Sequence, residues 1–390
     1  MKISEVAGSI HPSPTLSITA RARAMRAEGK NIISLSSGEL DLDPPDAVRQ
    51  TAKNIIDSGN IKYTSASGMP ELRQTIASKY SKKYDIPLSM NNVVVSAGAK
   101  HALANSLLCI TEPGDEVIIP VPYWVSYPEM VKLAKAKPAF VETRPENSFK
   151  LQPEMFSQSI TPQTRAMILN SPSNPTGAVY SPEEIEQIYK IARDNHIFII
   201  SDEIYENLIL EGEFFSLLQL GDEVFENALI ISGVSKTYAM TGWRIGWAIG
   251  NSDLISALGR IQSHQTSNPC TISQYAAISA LKQCDNFVEK LPKIIRERRD
   301  FAIDFIRKIS GFEVIVPKGA FYLFCDVRKA ISGKFKNSME LSEYILETAE
   351  VATVPGEAFG MPGFIRISIA DSIPNIAEAL ERISSALDNK

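Results

Sequence analysis

The 390-residue sequence predicts an α/β protein: a large domain with a mainly parallel sheet flanked by helices, and a smaller α+β domain. Two observations carry that expectation. From about Asp46 to Gly250, helical runs alternate with short apolar strands, the rhythm of parallel strands joined by helical crossovers. Beyond Asn251 the rhythm stops, the helices lengthen, and strands and helices mix. The expected domains are 46–290 for the large one, and 1–45 with 291–390 for the small one and its N-terminal arm.

In the first part, helices are expected over 46–57, 71–84, 100–110 and 182–194, and strands over 93–96, 117–120, 166–170, 198–201 and 228–232. Each strand is a brief apolar run. Sites in such sheets lie at the C-terminal ends of the strands. In the second part, 286–308 reads as one long polar-faced helix linking the lobes. Strands at 312–316, 320–325 and 364–370 and helices at 338–350 and 374–387 complete the smaller lobe, on which the N-terminal arm should pack. No repeats or low-complexity tracts interrupt the chain.

Composition narrows the function classes. Forty basic against 45 acidic side chains give a net charge of −5, so no broad positive field invites nucleic acid or an anionic membrane. Small-molecule substrates are the expected partners. The stretch Met1–Pro14 lacks the apolar core of a signal peptide and no run approaches a membrane span, which predicts a cytoplasmic protein. Cys109, Cys270, Cys284 and Cys325 form no C-x-x-C pair and are expected reduced. His11, His101, His196 and His264 show no metal-ligand spacing, so no metal site is expected.

The most informative run is Ile231-Ser232-Gly233-Val234-Ser235-Lys236-Thr237-Tyr238-Ala239-Met240-Thr241-Gly242-Trp243-Arg244-Ile245-Gly246. A buried strand empties into small residues that place one lysine at its end. Held there, a lysine tends to lose its proton and become a nucleophile or Schiff-base former. A Walker loop is excluded because Ser235, not glycine, precedes the lysine. The serine-lysine pair of penicillin-binding enzymes is excluded because Gly233 stands three residues before it.

Other strand ends deliver further polar groups. Phe198-Ile199-Ile200-Ser201-Asp202-Glu203-Ile204-Tyr205 ends in a carboxylate and a phenol; by itself such an Asp is most often a helix cap. Ser96-Ala97-Gly98-Ala99-Lys100 joins strand to helix with small residues, offering backbone amides to an anion. Lys100 there opposes the helix dipole at a cost of ~0.3–1 kcal/mol, which a nearby anion would offset. Asn170-Ser171-Pro172-Ser173-Asn174-Pro175-Thr176-Gly177 is dense in turn formers, and Pro122-Tyr123-Trp124-Val125-Ser126-Tyr127-Pro128 is an aromatic turn. Phe364-Ile365-Arg366-Ile367-Ser368-Ile369 alternates like a half-exposed strand with Arg366 and Ser368 on one face.

Position by position, the lysine run resembles the signature of the class I, fold type I, pyridoxal-phosphate-dependent aminotransferases, and the other segments match that family over essentially the whole chain. The resemblance implies pyridoxal 5'-phosphate carried on Lys236 by a Schiff base, with Ser235, Arg244 and the cup Gly98-Ala99-Lys100 on its phosphate. It assigns Asp202 to the ring nitrogen, Tyr205 and Asn174 to the phenolic oxygen, and Trp124 to stacking on the ring. Tyr63, in Lys62-Tyr63-Thr64-Ser65-Ala66-Ser67-Gly68, would reach the phosphate of the neighbouring subunit in a homodimer. Arg366 would bind the substrate α-carboxylate with backbone from Gly38, in a loop where Leu40 replaces a usual proline.

The likeness is greatest to the aspartate aminotransferase branch that reads the distal carboxylate with a lysine. The segment Ile261-Gln262-Ser263-His264-Gln265 lacks the arginine of the other branch, and Lys100 fills the role. The expected reaction moves an amino group from an L-amino acid, favoured aspartate, to a 2-keto acid, favoured 2-oxoglutarate, by a ping-pong Schiff-base mechanism. The alternatives are an aromatic or prephenate aminotransferase or a carbon–sulfur lyase of the same fold. A cofactor-binding transcriptional regulator is disfavoured because no DNA-binding domain fits before Thr15.

Overall fold

A computed structural model describes residues 3–388. Its centre is a seven-stranded sheet in the order Val93–Ser96, Gly246–Ile249, Ala228–Gly233, Phe198–Asp202, Thr164–Asn170, Glu116–Val121, Lys137–Glu142. The last five run parallel to one another, and Gly246–Ile249 is antiparallel to both of its neighbours. Neighbouring residues along a strand point to opposite faces, and here both faces are covered. Ile199, Leu169 and Ile230 pack toward the helices Pro70–Tyr84, Pro182–Asp194 and Thr271–Gln283. Ile200, Ile168, Leu229 and Ile231 pack toward Ala99–Ile110, Tyr127–Leu133 and Ser252–Gln265.

A second core surrounds a four-stranded antiparallel sheet in the order Val354–Pro355, Phe364–Ser368, Tyr322–Asp326, Glu313–Val314. The helices Asp285–Ile306 and Ile373–Asp388 pack on it through Leu291, Ile295, Ile303, Ile376, Leu380 and Ile383. The N-terminal helix Pro14–Ala27 sits beside this core through Ala22 and Met25 against Leu346 and Ala352. The segment before it turns the other way: the backbone amide of His11 donates to Glu129 Oε2 on the helix Tyr127–Leu133 at 3.0 Å.

Two strands of the large sheet escape the sequence rhythm. Lys137–Glu142 is an edge strand with exposed Lys137, Phe140 and Glu142, so its apolar content is low. Gly246–Ile249 follows the lysine run with no intervening crossover helix, because it returns antiparallel. The expected helix 338–350 is α-helical over Ser338–Tyr344 and widens into a π turn over Ile345–Ala349. The expected half-exposed strand at Phe364 is a correction: all of Phe364–Ser368 is buried. No helix among the described residues is long and apolar enough to cross a membrane.

The segment that follows Ile33–Ser34 is fastened to the long helix by one side chain. Arg298 donates to both Asp41 oxygens, at 2.8 and 3.0 Å, and to the Ala370 carbonyl at 2.8 Å. Removing a buried guanidinium leaves its acceptors unpaired. Arg298→Ala should therefore lower stability by about 2–3 kcal/mol in urea titration; a loss below about 0.5 kcal/mol would contradict this anchoring role.

Candidate functional site

Every group predicted from the sequence except Tyr63 and Gly98 lines a single cavity of about 280 Å³, together with Ser13, Thr15, Leu16, Tyr127, Asn170, Thr241 and Tyr322. The convergence follows from sheet direction. Ser96, Val121, Asn170, Asp202 and Gly233 end strands at one edge, and each is followed within a few residues by a cavity group. Arg244 arrives from the opposite sense, just before the antiparallel strand begins at Gly246.

Lys236 lies in the one-turn helix Val234–Thr237, and its Nζ donates to the Gly38 carbonyl at 2.5 Å. Burial pushes its ammonium down to about 8, opposed by Glu39 and assisted by the charges of Arg366 and Arg244. Gly38 comes this close because it has no side chain: a Cβ there would stand 2.6 Å from Tyr322 Oη.

Asp202 is 4% exposed. Burial pushes its carboxyl up to about 6, against three opposing influences: the Tyr127 hydroxyl donating at 2.7 Å, the Ile204 amide at 3.2 Å and the Lys236 charge. A carboxylate held ready to share a proton in a dry wall suits a protonated ring nitrogen. The Tyr205 hydroxyl lies 2.9 Å from that of Tyr322, and burial first, then this pairing, holds the Tyr205 phenol well above its usual range.

Arg366 is 2% exposed and forms no ion pair among the described residues. Its Nη1 donates to Asn174 Oδ1 at 2.8 Å and its Nη2 to the Ser36 carbonyl at 2.7 Å, with the guanidinium over the Tyr322 ring at 4.3 Å. Its Nε is buried with no partner. Asn174 thus spends its oxygen on Arg366, and its amide nitrogen remains a donor toward the cavity. Its loop is set by Asn170, whose Oδ1 accepts the Asn174 backbone N–H at 2.9 Å and whose Nδ2 donates to the Asp202 carbonyl at 2.9 Å.

At the other end, Gly98 has φ +88° and begins the helix Ala99–Ile110. A Cβ on Gly98 would stand 2.4 Å from Arg244 Nη2, so only glycine lets the guanidinium lie on the cup. Arg244 donates to the Thr241 carbonyl at 2.8 Å and to the Ala97 carbonyl at 3.4 Å. The first amides of a helix have no intrahelical acceptor. With the Ser235 hydroxyl and Arg244 beside them, they form a cradle matched to a phosphate. Lys100 Nζ lies 4.9 Å from the centre of the Trp124 ring, and burial, then Arg244, lowers its pKa. The donor set therefore fits pyridoxal phosphate: cradle, flat indole, carboxylate and lysine share one cavity.

Tyr63 lies outside this cavity and is 91% exposed. Sequence reasoning missed Tyr127, Tyr322 and Asn170 as site groups. Tyr127 stood within the aromatic turn already singled out, three residues after Trp124, and could have been found there.

Comparison with known proteins agrees with the geometry. The profile of the family described as aminotransferase class I and II matches residues 30–383. The aspartate aminotransferase of Bacillus sp. (strain YM-2) is 45% identical over 377 residues, covering 96% of each chain. The aspartate/prephenate aminotransferase of Nitrosomonas europaea is 42% identical, covering 99% of this chain and all of the relative. The structure of Thermus thermophilus aspartate aminotransferase with maleate superposes with a TM-score of 0.94 at 38% identity, covering 99% of this chain and 100% of the other. The chain belongs to the class I and II aminotransferases and is a pyridoxal-phosphate-dependent enzyme of that family.

Proposed function

We propose that the enzyme transfers the amino group of aspartate to 2-oxoglutarate in a ping-pong cycle. One observation carries the choice of substrate: the cavity wall holds Lys100, Lys236, Arg244 and Arg366 against a single carboxylate, Asp202. Once Arg244 is given to the phosphate and Lys236 to the chemistry, two cations remain, enough for an α-carboxylate and a distal one. Arg366, a rigid fork on a buried strand, suits the α-carboxylate with backbone from Gly38. Lys100 suits the distal carboxylate. The names of the relatives from Bacillus and Thermus support the same donor.

Bound pyridoxal phosphate supplies the electron sink for negative charge at the substrate Cα. Asp202 holds the proton at the ring nitrogen, and Tyr127 keeps Asp202 aimed. Tyr205 and the Asn174 side-chain amide would donate toward the phenolic oxygen, Trp124 would stack on the ring, and Ser235, Arg244 and the backbone of Gly98 and Ala99 would hold the phosphate. Lys236, cofactor anchor and then base, takes the Cα proton through its neutral amine. Prephenate, in the name of the Nitrosomonas relative, is the second acceptor to test, because a lone ammonium reads a distal carboxylate loosely.

The assembly follows from Tyr63. Its segment is fastened by Thr271 Oγ1 to the Lys62 carbonyl at 2.7 Å and by Gln274 Nε2 to Thr64 Oγ1 at 3.0 Å, yet the ring stands in water. Such an aromatic suits a homodimer in which Tyr63 enters the neighbouring phosphate site. We place the cofactor in a domain spanning 46–290, the remainder forming the small domain, and the enzyme in the cytoplasm, where four unpaired cysteines are at home.

Borohydride added to the holoenzyme should fix a pyridoxyl group on the Lys236 peptide; a label on another lysine sinks the reading. In cofactor-stripped protein, acylation of Lys236 should rise with pH through about 8, since burial lowers this ammonium and only the neutral amine reacts. An onset in the ordinary lysine range would refute that environment.

Arg366→Ala should weaken every amino acid and keto acid by about 2–5 kcal/mol in kcat/KM. Damage confined to dicarboxylates would reassign Arg366 to the side chain.

Lys100→Ser should cost about 1–3 kcal/mol in kcat/KM for aspartate and much less for phenylalanine. An equal fall for both donors would make Lys100 a phosphate ligand instead.

A further inference from the structure

The phosphate cradle is built from residues with little side chain to brace it, and one backbone bond, Gly98 N–H to the Ser96 carbonyl at 2.7 Å, closes it from within. Ser96, Ala97, Gly98 and Ala99 are small, and Gly98 is left-handed. Underneath, Gly246 presses so close that a Cβ on it would meet the Ala99 nitrogen at 2.2 Å, so no side chain supports the loop there. Its support comes from the last turn of the helix Ser252–Gln265.

Gln262 is fully buried, 0% exposed, and its amide is bonded at both ends. Oε1 accepts the Ser96 hydroxyl at 2.6 Å, while Nε2 donates to the Val95 carbonyl at 2.7 Å and to the Ala66 carbonyl. Val93–Ser96 is an edge strand, and edge strands carry unpaired backbone groups. At Val95 both are taken: the amide by the Ser67 carbonyl at 2.9 Å and the carbonyl by Gln262. One turn on, Gln265 Oε1 lies 2.9 Å from His101 Nε2, and His101 Nδ1 accepts the Ala97 amide at 3.3 Å. The Ala97 carbonyl in turn receives Arg244.

We infer that Gln262 is a positioning residue for the cofactor phosphate: it holds the cradle in its binding shape and ties it to the segment 62–68 that carries Tyr63, with the Gln265–His101 pair as a second support. The inference rests on the cofactor site proposed above. It makes affinity depend on how much of the protein holds the competent cradle, because apparent affinity falls by the fraction that does. In a dimer, the same amide would serve its own phosphate site through Ser96 and the neighbouring one through the Tyr63 segment.

The test is titration of the cofactor-stripped enzyme with pyridoxal phosphate. Gln262→Met keeps the volume and removes all three bonds. Its dissociation constant should rise at least tenfold, with kcat restored within twofold at saturating cofactor and the amino-acid KM unchanged. A role confined to stability would lower the melting temperature and leave the dissociation constant alone; a folded Gln262→Met with a constant within twofold of wild type overturns the inference. Should that variant fail to fold, His101→Leu decides: a rise of about threefold supports the second support and the scheme, and an unchanged constant overturns it. Wild-type protein that takes up no pyridoxal phosphate would instead sink the cofactor reading itself.

Discussion

Charge removed from water without a full complement of counter-ions is the constraint on which the cavity depends. Arg366 is buried against an amide oxygen, a carbonyl and two aromatic rings rather than a carboxylate. Among the described residues Lys236 hydrogen-bonds only a carbonyl, and the nearby Glu39 and Asp202 offset just part of the cost of its burial. Buried ions that lack partners cost several kcal/mol each, so the surrounding fold must carry that load. The two hydrophobic cores on either side of the cavity do so, and the unspent electrostatic attraction is left for anionic ligands.

Sheet order explains why the groups meet. Five strands of the same sense end at one edge, so short loops suffice to bring Lys100, Trp124, Asn174, Asp202 and Lys236 together from positions spread over 137 residues. The second sheet contributes Tyr322 and Arg366 on adjacent antiparallel strands, which closes the cavity from the other side. Rigid strands rather than long loops therefore set the spacing of the cations.

Groups at or just beyond a strand end were legible in the sequence because that position, together with the family resemblance, marks them out. Lys236, Asp202 and the cup belong to this class. Partners that arise from distant pairing were not: Tyr127 meets Asp202 across 75 residues, and Arg366 meets the Ser36 carbonyl across 330. The alternation at Phe364–Ser368 suggests water against core, whereas it separates a polar cavity from a hydrophobic core, both enclosed. Gly246–Ile249 hid because an antiparallel return leaves no helical signature.

That return strand has a consequence for how the chain can vary. Lys236 and Arg244 sit on one connection, leaving the strand Ala228–Gly233 and re-entering at Gly246, with the register pinned where Gly233 faces Gly246. The separation between nucleophile and phosphate anchor is thus tied to the length of this connection as well as to the packing of Arg244 on Gly98. Inserting or deleting even one residue between them would shift one group relative to the other, while the exposed connection around Glu211–Glu213 lies outside the cavity and can absorb length changes without that penalty.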